Sequence, residues 1–154
     1  SIVKSVVKSN ENRKKLILNK ISQILKNKIK SKKVSILGVT FKPNTDDMRD
    51  SMSLKIIPYL VKKGAIVSYY DPTGEKKEFE NLSNCNFYMN INDAVKNADL
   101  IILHTEWDEF KSLNFNSLIK KKKTSLYDLR NLLNTADIKV KNLEYFSIGR
   151  PKIN

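Results

Sequence analysis

Six short apolar runs divide the chain: "KKVSILGVTF", "AIVSYYDP", "NFYM", "DLIILHT", "SLYDLRN" and "EYFSIGR". The first has the period and length of a strand buried in a parallel sheet, and "DLIILHT" is the most apolar stretch of the chain. Helical patterns alternate with them. "SLKIIPYLVKKG" reads as a helix with Ser53 at its N-cap, Lys62 and Lys63 in its last turn, and Gly64 as its stop. Pro58 within it is tolerable only near the first turn or as a kink. "INDAVKNA" reads as a short helix starting near Asn92 or Asp93. Strands alternating with helices imply βαβ units, hence an α/β, Rossmann-like, doubly wound and mostly parallel sheet.

Residues 1–31 precede that sheet as a helical segment. Ile2, Val3, Val6 and Val7 lie at helical spacing, as do Leu16, Ile17, Ile21, Ile24 and Leu25, with Ser9-Asn10 as a candidate cap or break. One apolar stripe on so polar a helix must pack on the domain that follows or on a partner. The composition break near Ser31-Lys32 is the boundary candidate, giving a unit at 1–31 and a unit at 32–154.

A length of 154 residues suits one proper core, and 40% hydrophobic residues is ordinary for a soluble protein. With no apolar run approaching the roughly 18 residues of a membrane span, and no signal-peptide pattern, the expectation is a cytoplasmic protein without a membrane partner. One cysteine, Cys85, excludes an internal disulfide and a cysteine-rich zinc site, and reads as structural. One histidine, His104, excludes any triad or metal site that needs two; no metal is expected.

The formal charge of +13 raises nucleic acid, a membrane surface or anionic small molecules as partners. The lysines are scattered over loops and helix ends and form no single stripe, so they read as solvated surface charge; a nucleic-acid binder would show a lysine-lined face without aromatic interleaving, and little interleaving is found. A basic, non-enzymatic, nucleic-acid-binding α/β module remains the rival reading. The four arginines, Arg13, Arg49, Arg130 and Arg150, carry more weight, since guanidinium suits bidentate anion recognition.

Ligands in doubly wound sheets bind beyond the carboxyl ends of the strands. Those ends carry Phe41-Lys42, Asp71, His104-Thr105-Glu106 and Asp128-Leu129-Arg130. The first turn, "GVTFKPNTDDMRDS", keeps only Gly38 of the glycine pattern that lets a backbone approach a pyrophosphate, so a regular dinucleotide site is not expected there. Lys42 and Arg49 could be folded toward one anion site. Asp46 and Asp47 could pair with them or accept backbone N–H groups and fix the turn. In "HTEWDEF", Trp107 reads as a buried ring opening a helix with an acidic first turn. In "YDLRN", Asp128 and Arg130 are alternate strand residues, so the carboxylate could hold the guanidinium ready for an anion.

"ILGVTFKPNTDDMRDS", "IIPYLVKKGAIVSYYDP", "ADLIILHTEWDEF" and "LYDLRN", in this order and spacing, resemble the C-terminal domain of the UDP-glucose/GDP-mannose dehydrogenases over residues 10 to 150. "TDDMR" and "TEWDEF" favour the UDP-glucose 6-dehydrogenase branch over enzymes of UDP-N-acetylmannosamine or GDP-mannose. The resemblance implies a UDP-sugar-binding, Rossmann-like domain at 32–154, preceded at 1–31 by the tail of a central domain through which the enzymes form homodimers. It implies two NAD-dependent steps from UDP-glucose to UDP-glucuronate. By the same resemblance Phe41, Lys42 and Arg130 contact the UDP-sugar, and Arg49 reaches an NAD held mainly by another domain. The family's nucleophilic cysteine, its helper residues and its NAD fingerprint have no counterpart here. No catalytic residue is therefore assigned, Cys85 is not given that role, and the chain is expected to be inactive alone.

Overall fold

The computed structural model of the protein describes residues 2–120, 123–138 and 140–149. Arg150, the lysines at 121 and 122, and the side chains of Ile2, Val3 and Val7 lie outside what it describes. Six strands form one sheet: β1 (Lys33–Leu37), β2 (Ile66–Tyr70), β3 (Cys85–Phe87), β4 (Leu100–Leu103), β5 (Thr124–Asp128) and β6 (Leu143–Ser147). All neighbours pair in parallel, in the order β3-β2-β1-β4-β5-β6, so the expected parallel sheet is parallel throughout. The register aligns Tyr70, Leu37, Leu103 and Asp128 in one row across four strands. The residues that follow them therefore emerge together at one edge.

Both faces are covered, which is why the strands are apolar on both sides. On one face α1 (Ile2–Ile24) and α2 (Ser53–Lys62) bury Ile17, Ile21, Ile56, Ile57 and Leu60 against Val34, Ile36, Leu100, Ile102 and Tyr127. On the other, α3 (Ile91–Val95), α4 (Phe115–Leu118) and the 3-10 turn Asp108–Ser112 bury Val95, Phe115 and Phe110 against Leu37, Ile101, Leu103, Leu126 and Tyr145. Each fully buried Leu, Ile or Phe contributes roughly 1.5–3 kcal/mol relative to exposure.

Several local expectations are corrected. The first helix runs through Ser9-Asn10 without a break and ends at Ile24 rather than near 31. There Lys26 and Asn27 take φ of 54° and 58°, and the Asn27 N–H donates to the Ser22 carbonyl at 2.8 Å. Leu25 and Ile29, past the helix, still enter the core. Ser53 is not the cap of α2: Met52 holds that position without a side-chain bond. Ser53 instead donates its hydroxyl to the Val39 carbonyl at 2.6 Å. Pro58 lies inside α2 beyond its first turn, on an exposed position. Asn90, earlier than expected, caps α3 by accepting from the Asp93 N–H at 2.9 Å. Trp107 opens a 3-10 turn, with Asp108 and Glu109 first, and packs half-buried against the second core cluster. The apolar stripe of α1 is spent only in part on the sheet, leaving Val6 and Leu16 exposed.

Candidate functional site

The strand order reverses between β1 and β4, so the crevice beyond their carboxyl ends is where this architecture places a ligand. Here the crevice is packed with protein. Gly38 leaves β1 at φ +76°, and a Cβ on it would lie 2.7 Å from the Thr105 Cβ and 3.2 Å from the Phe110 ring. Thr105 donates its hydroxyl to the Thr40 carbonyl at 2.8 Å, tying the turn after β4 to the turn after β1. Asp71, at the end of β2, is buried and accepts from the Val39 N–H at 2.8 Å. Ser51 and Ser53 both reach the Val39 carbonyl at 2.6 Å. Gly38 is thus required for a close approach by Thr105, not to admit a pyrophosphate. The turn does not fit a dinucleotide.

Further along the same turn, Asp47 accepts from Arg49 at three points: backbone N–H at 3.0 Å, Nε at 3.0 Å and Nη2 at 2.9 Å. Both expected roles, ion pairing and turn fixing, therefore fall to one carboxylate. The side-chain and backbone hydrogen bonds from Arg49 hold its pKa down at about 2. The Arg49 side chain is 88% exposed and faces a shallow groove with Thr73 and Lys76.

The open space lies beside the crevice. A cleft of about 460 Å³ runs between α1 and the turns after β1, β4 and β5. Asn10, Arg13, Lys14 and Ile17 of α1 form one wall. Phe41, Asp50 and Met52 form a second, and His104, Leu129 and Arg130 the floor and far side. Arg130 braces the three turns: its Nε donates to the His104 carbonyl at 3.0 Å and its Nη2 to the Phe41 carbonyl at 3.4 Å, with Glu106 at 3.6 Å. The expectation that Asp128 holds this guanidinium is corrected. Asp128 is fully buried and accepts from the Arg130 backbone N–H at 3.1 Å, the Leu133 N–H at 3.0 Å and the Tyr145 hydroxyl at 2.7 Å. It fixes the backbone that carries Arg130, and carbonyl oxygens orient the guanidinium.

His104 is 1% exposed. Burial, with Arg130 nearby, pushes its pKa down to about 3, although the Gly38 carbonyl favours the charged form. The ring is therefore neutral at pH 7. Its Nδ1 lies 2.9 Å from the Thr105 hydroxyl oxygen. That hydroxyl spends its proton on the Thr40 carbonyl, so the oxygen accepts and Nδ1 carries the hydrogen. Nε2 is fully buried and makes no hydrogen bond among the described residues.

Of the sequence-derived site residues, the structure brings Phe41 and Arg130 into one cleft, with the Phe41 ring half exposed. Lys42, next to Phe41, is exposed and does not line that cleft; Arg49 lines the other groove. Asp71 proves to be a structural brace. Arg13, weighted in the sequence only as an arginine suited to anions, proves to line the cleft; Asn10 and Lys14 were missed, because nothing local in a helix shows that it faces the carboxyl edge of a sheet. Cys85 opens β3 half-buried, and burial pushes its thiol up to about 11, as suits a structural residue. Among the described residues no group of His, Cys, Asp and Glu could hold a metal, and no helix is long and apolar enough to cross a membrane.

Residues 35–135 match the UDP binding domain of the UDP-glucose/GDP-mannose dehydrogenase family. The chain belongs to that family. It is 36% identical over 151 residues to the UDP-glucose 6-dehydrogenase of Rhizobium meliloti, covering 97% of this chain and 35% of the relative. It is 31% identical over 156 residues to the UDP-glucose 6-dehydrogenase TuaD of Bacillus subtilis, covering 99% and 33%. The chain thus spans about a third of the length of the curated relatives it matches. A UDP-glucose dehydrogenase from Pyrobaculum islandicum has the same fold, with a TM-score of 0.74 and 23% identity over 93% of this chain and 31% of the other.

Proposed function

We propose that this domain binds the UDP-sugar for an NAD-dependent UDP-glucose 6-dehydrogenase that oxidises UDP-glucose to UDP-glucuronate. The observation that carries the reading is the cleft. Arg130 is held in place by two backbone carbonyls, with Arg13 and Lys14 across from it, and Phe41 offers a half-exposed ring for a base or sugar. A guanidinium already oriented loses little freedom when it meets a diphosphate. Lys42, exposed next to Phe41, would serve a ligand that extends out of the cleft. Arg49, on an exposed turn, contributes to an NAD held by another domain, and a central helical domain continuing from residues 1–31 makes the homodimer. Among the described residues the one thiol, Cys85, is half-buried and pushed up to about 11 by burial, so on this reading the chain alone binds but does not oxidise.

Isothermal calorimetry with UDP, UDP-glucose, UDP-glucuronate, GDP-mannose and NAD tests the reading. The uridine compounds should bind, Arg130→Ala should weaken them about tenfold or more, as for a lost charge-assisted hydrogen bond, and NAD should not bind. Tight NAD binding, no discrimination between UDP and GDP compounds, or NADH formation by the chain alone would each overturn it.

A further inference from the structure

A second open space, of about 480 Å³, continues along α1 past the cleft, toward the carboxyl ends of β5 and β6. It shares Arg13 and Ile17 with that cleft. Its other cation is Lys20, whose ammonium is held 5.2 Å from the centre of the Phe146 ring. Asn19 and Gln23 add amides, and no aspartate or glutamate lines the space among the described residues. Neither Arg13 nor Lys20 has a carboxylate partner among the described residues. Two such cations facing one space repel each other until an anion lies between them. Tyr127 makes the space more than a surface groove. It is 3% exposed, yet it lines the pocket. Its hydroxyl makes no hydrogen bond among the described residues. The polar atoms sealed from solvent without a partner are His104 Nε2 and Trp107 Nε1, and the Tyr127 oxygen is not one of them, so it opens to the pocket. Burial pushes its pKa up, against the pull of the Arg13 charge, so the hydroxyl keeps its proton at pH 7 and is a donor.

We propose that this pocket is a second ligand site, for a small phosphate-class anion held by Arg13 and Lys20 with the Tyr127 hydroxyl donating from the floor. A tetrahedral oxyanion carries acceptors in several directions, which suits donors arriving from two elements, α1 and β5. Its charge strengthens each of those hydrogen bonds. A cationic ligand would meet two like charges and no carboxylate. The site stands without the nucleotide-sugar reading, but its consequence for the cleft rests on that reading. Arg13 serves both spaces, and a guanidinium committed to an anion here is withdrawn from the nucleotide. Anion and nucleotide therefore oppose each other, and by linkage each weakens the other by the same factor.

Tyrosine labelled at the ring carbon that bears the hydroxyl gives six signals, and Tyr127→Phe identifies that of Tyr127 by its loss. Inorganic phosphate should move this signal to saturation, and chloride at the same ionic strength should not. Tyr127→Phe removes one charge-assisted hydrogen bond and should weaken phosphate about tenfold by calorimetry. Lys20→Met, which keeps an apolar stem against Phe146, should weaken it similarly. At fixed ionic strength, phosphate should raise the Kd of UDP about fivefold and then reach a plateau. Without phosphate neither variant should change UDP binding; with it, both should need about ten times more phosphate for the same effect. The site is overturned if phosphate leaves the Tyr127 signal in place, if chloride moves it equally, or if either variant binds phosphate as the parent does. It is also overturned if Tyr127→Phe weakens UDP in the absence of phosphate, since the pocket would then be an extension of the cleft. The coupling is overturned if the Kd of UDP stays constant, or if it rises without a plateau, as it would for phosphate competing inside the cleft. If UDP does not bind at all, the nucleotide-sugar reading and the coupling fall together, and the Tyr127 titration still decides the site.

Discussion

Gly38→Ala puts a methyl group where Thr105 already sits. The backbone there has φ +76°, so an L side chain pays roughly 1–2 kcal/mol for the left-handed conformation alone. The new Cβ would also lie 2.7 Å from the Thr105 Cβ, 3.0 Å from its hydroxyl and 3.2 Å from the Phe110 ring. Neither neighbour gives easily: the Thr105 hydroxyl is bonded to the Thr40 carbonyl, and Phe110 is fully buried. Overpacking of this kind adds about 1–3 kcal/mol. The sum, roughly 2–5 kcal/mol, is a large part of the 5–15 kcal/mol typical of a domain. Gly74→Ala is the control, because Gly74 has φ +95° with nothing within 4 Å of its would-be Cβ. It isolates the backbone cost. Urea unfolding of the two variants, with m unchanged, should show Gly38→Ala less stable than Gly74→Ala by about 1–3 kcal/mol. Equal losses would refute the reasoning, since they would mean that Thr105 does not close the crevice.

Two further outcomes bear on the site. Asp128→Asn puts a donor among three donors, the Arg130 and Leu133 N–H groups and the Tyr145 hydroxyl, and should cost about 1–3 kcal/mol in urea unfolding; a variant as stable as the parent would show that the carboxylate does not hold the Arg130 turn. His104 has a folded pKa of about 3 against an ordinary 6.5, so the unfolded chain binds its proton first and stability falls as pH drops below 6.5. As the chain's only histidine it dominates the range above the carboxylates, and about 2 kcal/mol should be lost between pH 7 and pH 5; His104→Gln should abolish that slope, and a slope that persists in the variant would refute the assignment.

What the sequence made legible follows from how far each signal reaches. The strands were readable because burial on two faces writes apolar runs such as Leu100–Leu103. The ends of those strands then nominated Phe41, His104 and Arg130, which the parallel register does bring together. Partners were not readable where the contact is made by backbone. Alternation placed Asp128 and Arg130 on one side of a strand, but the carboxylate went to N–H groups and the guanidinium to carbonyls, which no side-chain pattern encodes. Helix ends failed similarly: Asn27 ends α1 through a left-handed turn, and Ser53 turned from cap to clamp because Val39 offers its carbonyl beside it.

The packed crevice explains why α1 matters to the site. In this strand order the default ligand position lies directly over Gly38, and Thr105, Asp71 and the two serines have closed it. The space that remains is displaced toward β5 and needs a wall that the sheet cannot supply. α1 supplies that wall with Arg13, Lys14 and Ile17. It is anchored for the purpose, since Ile17 and Ile21 are buried in the same cluster as Ile36 and Ile57. A division near residue 31, drawn from composition, would therefore separate Arg13 from Arg130 across a single cleft. By its packing the helix goes with the sheet. A ligand held between them would couple the two, because each contributes cations that the other lacks.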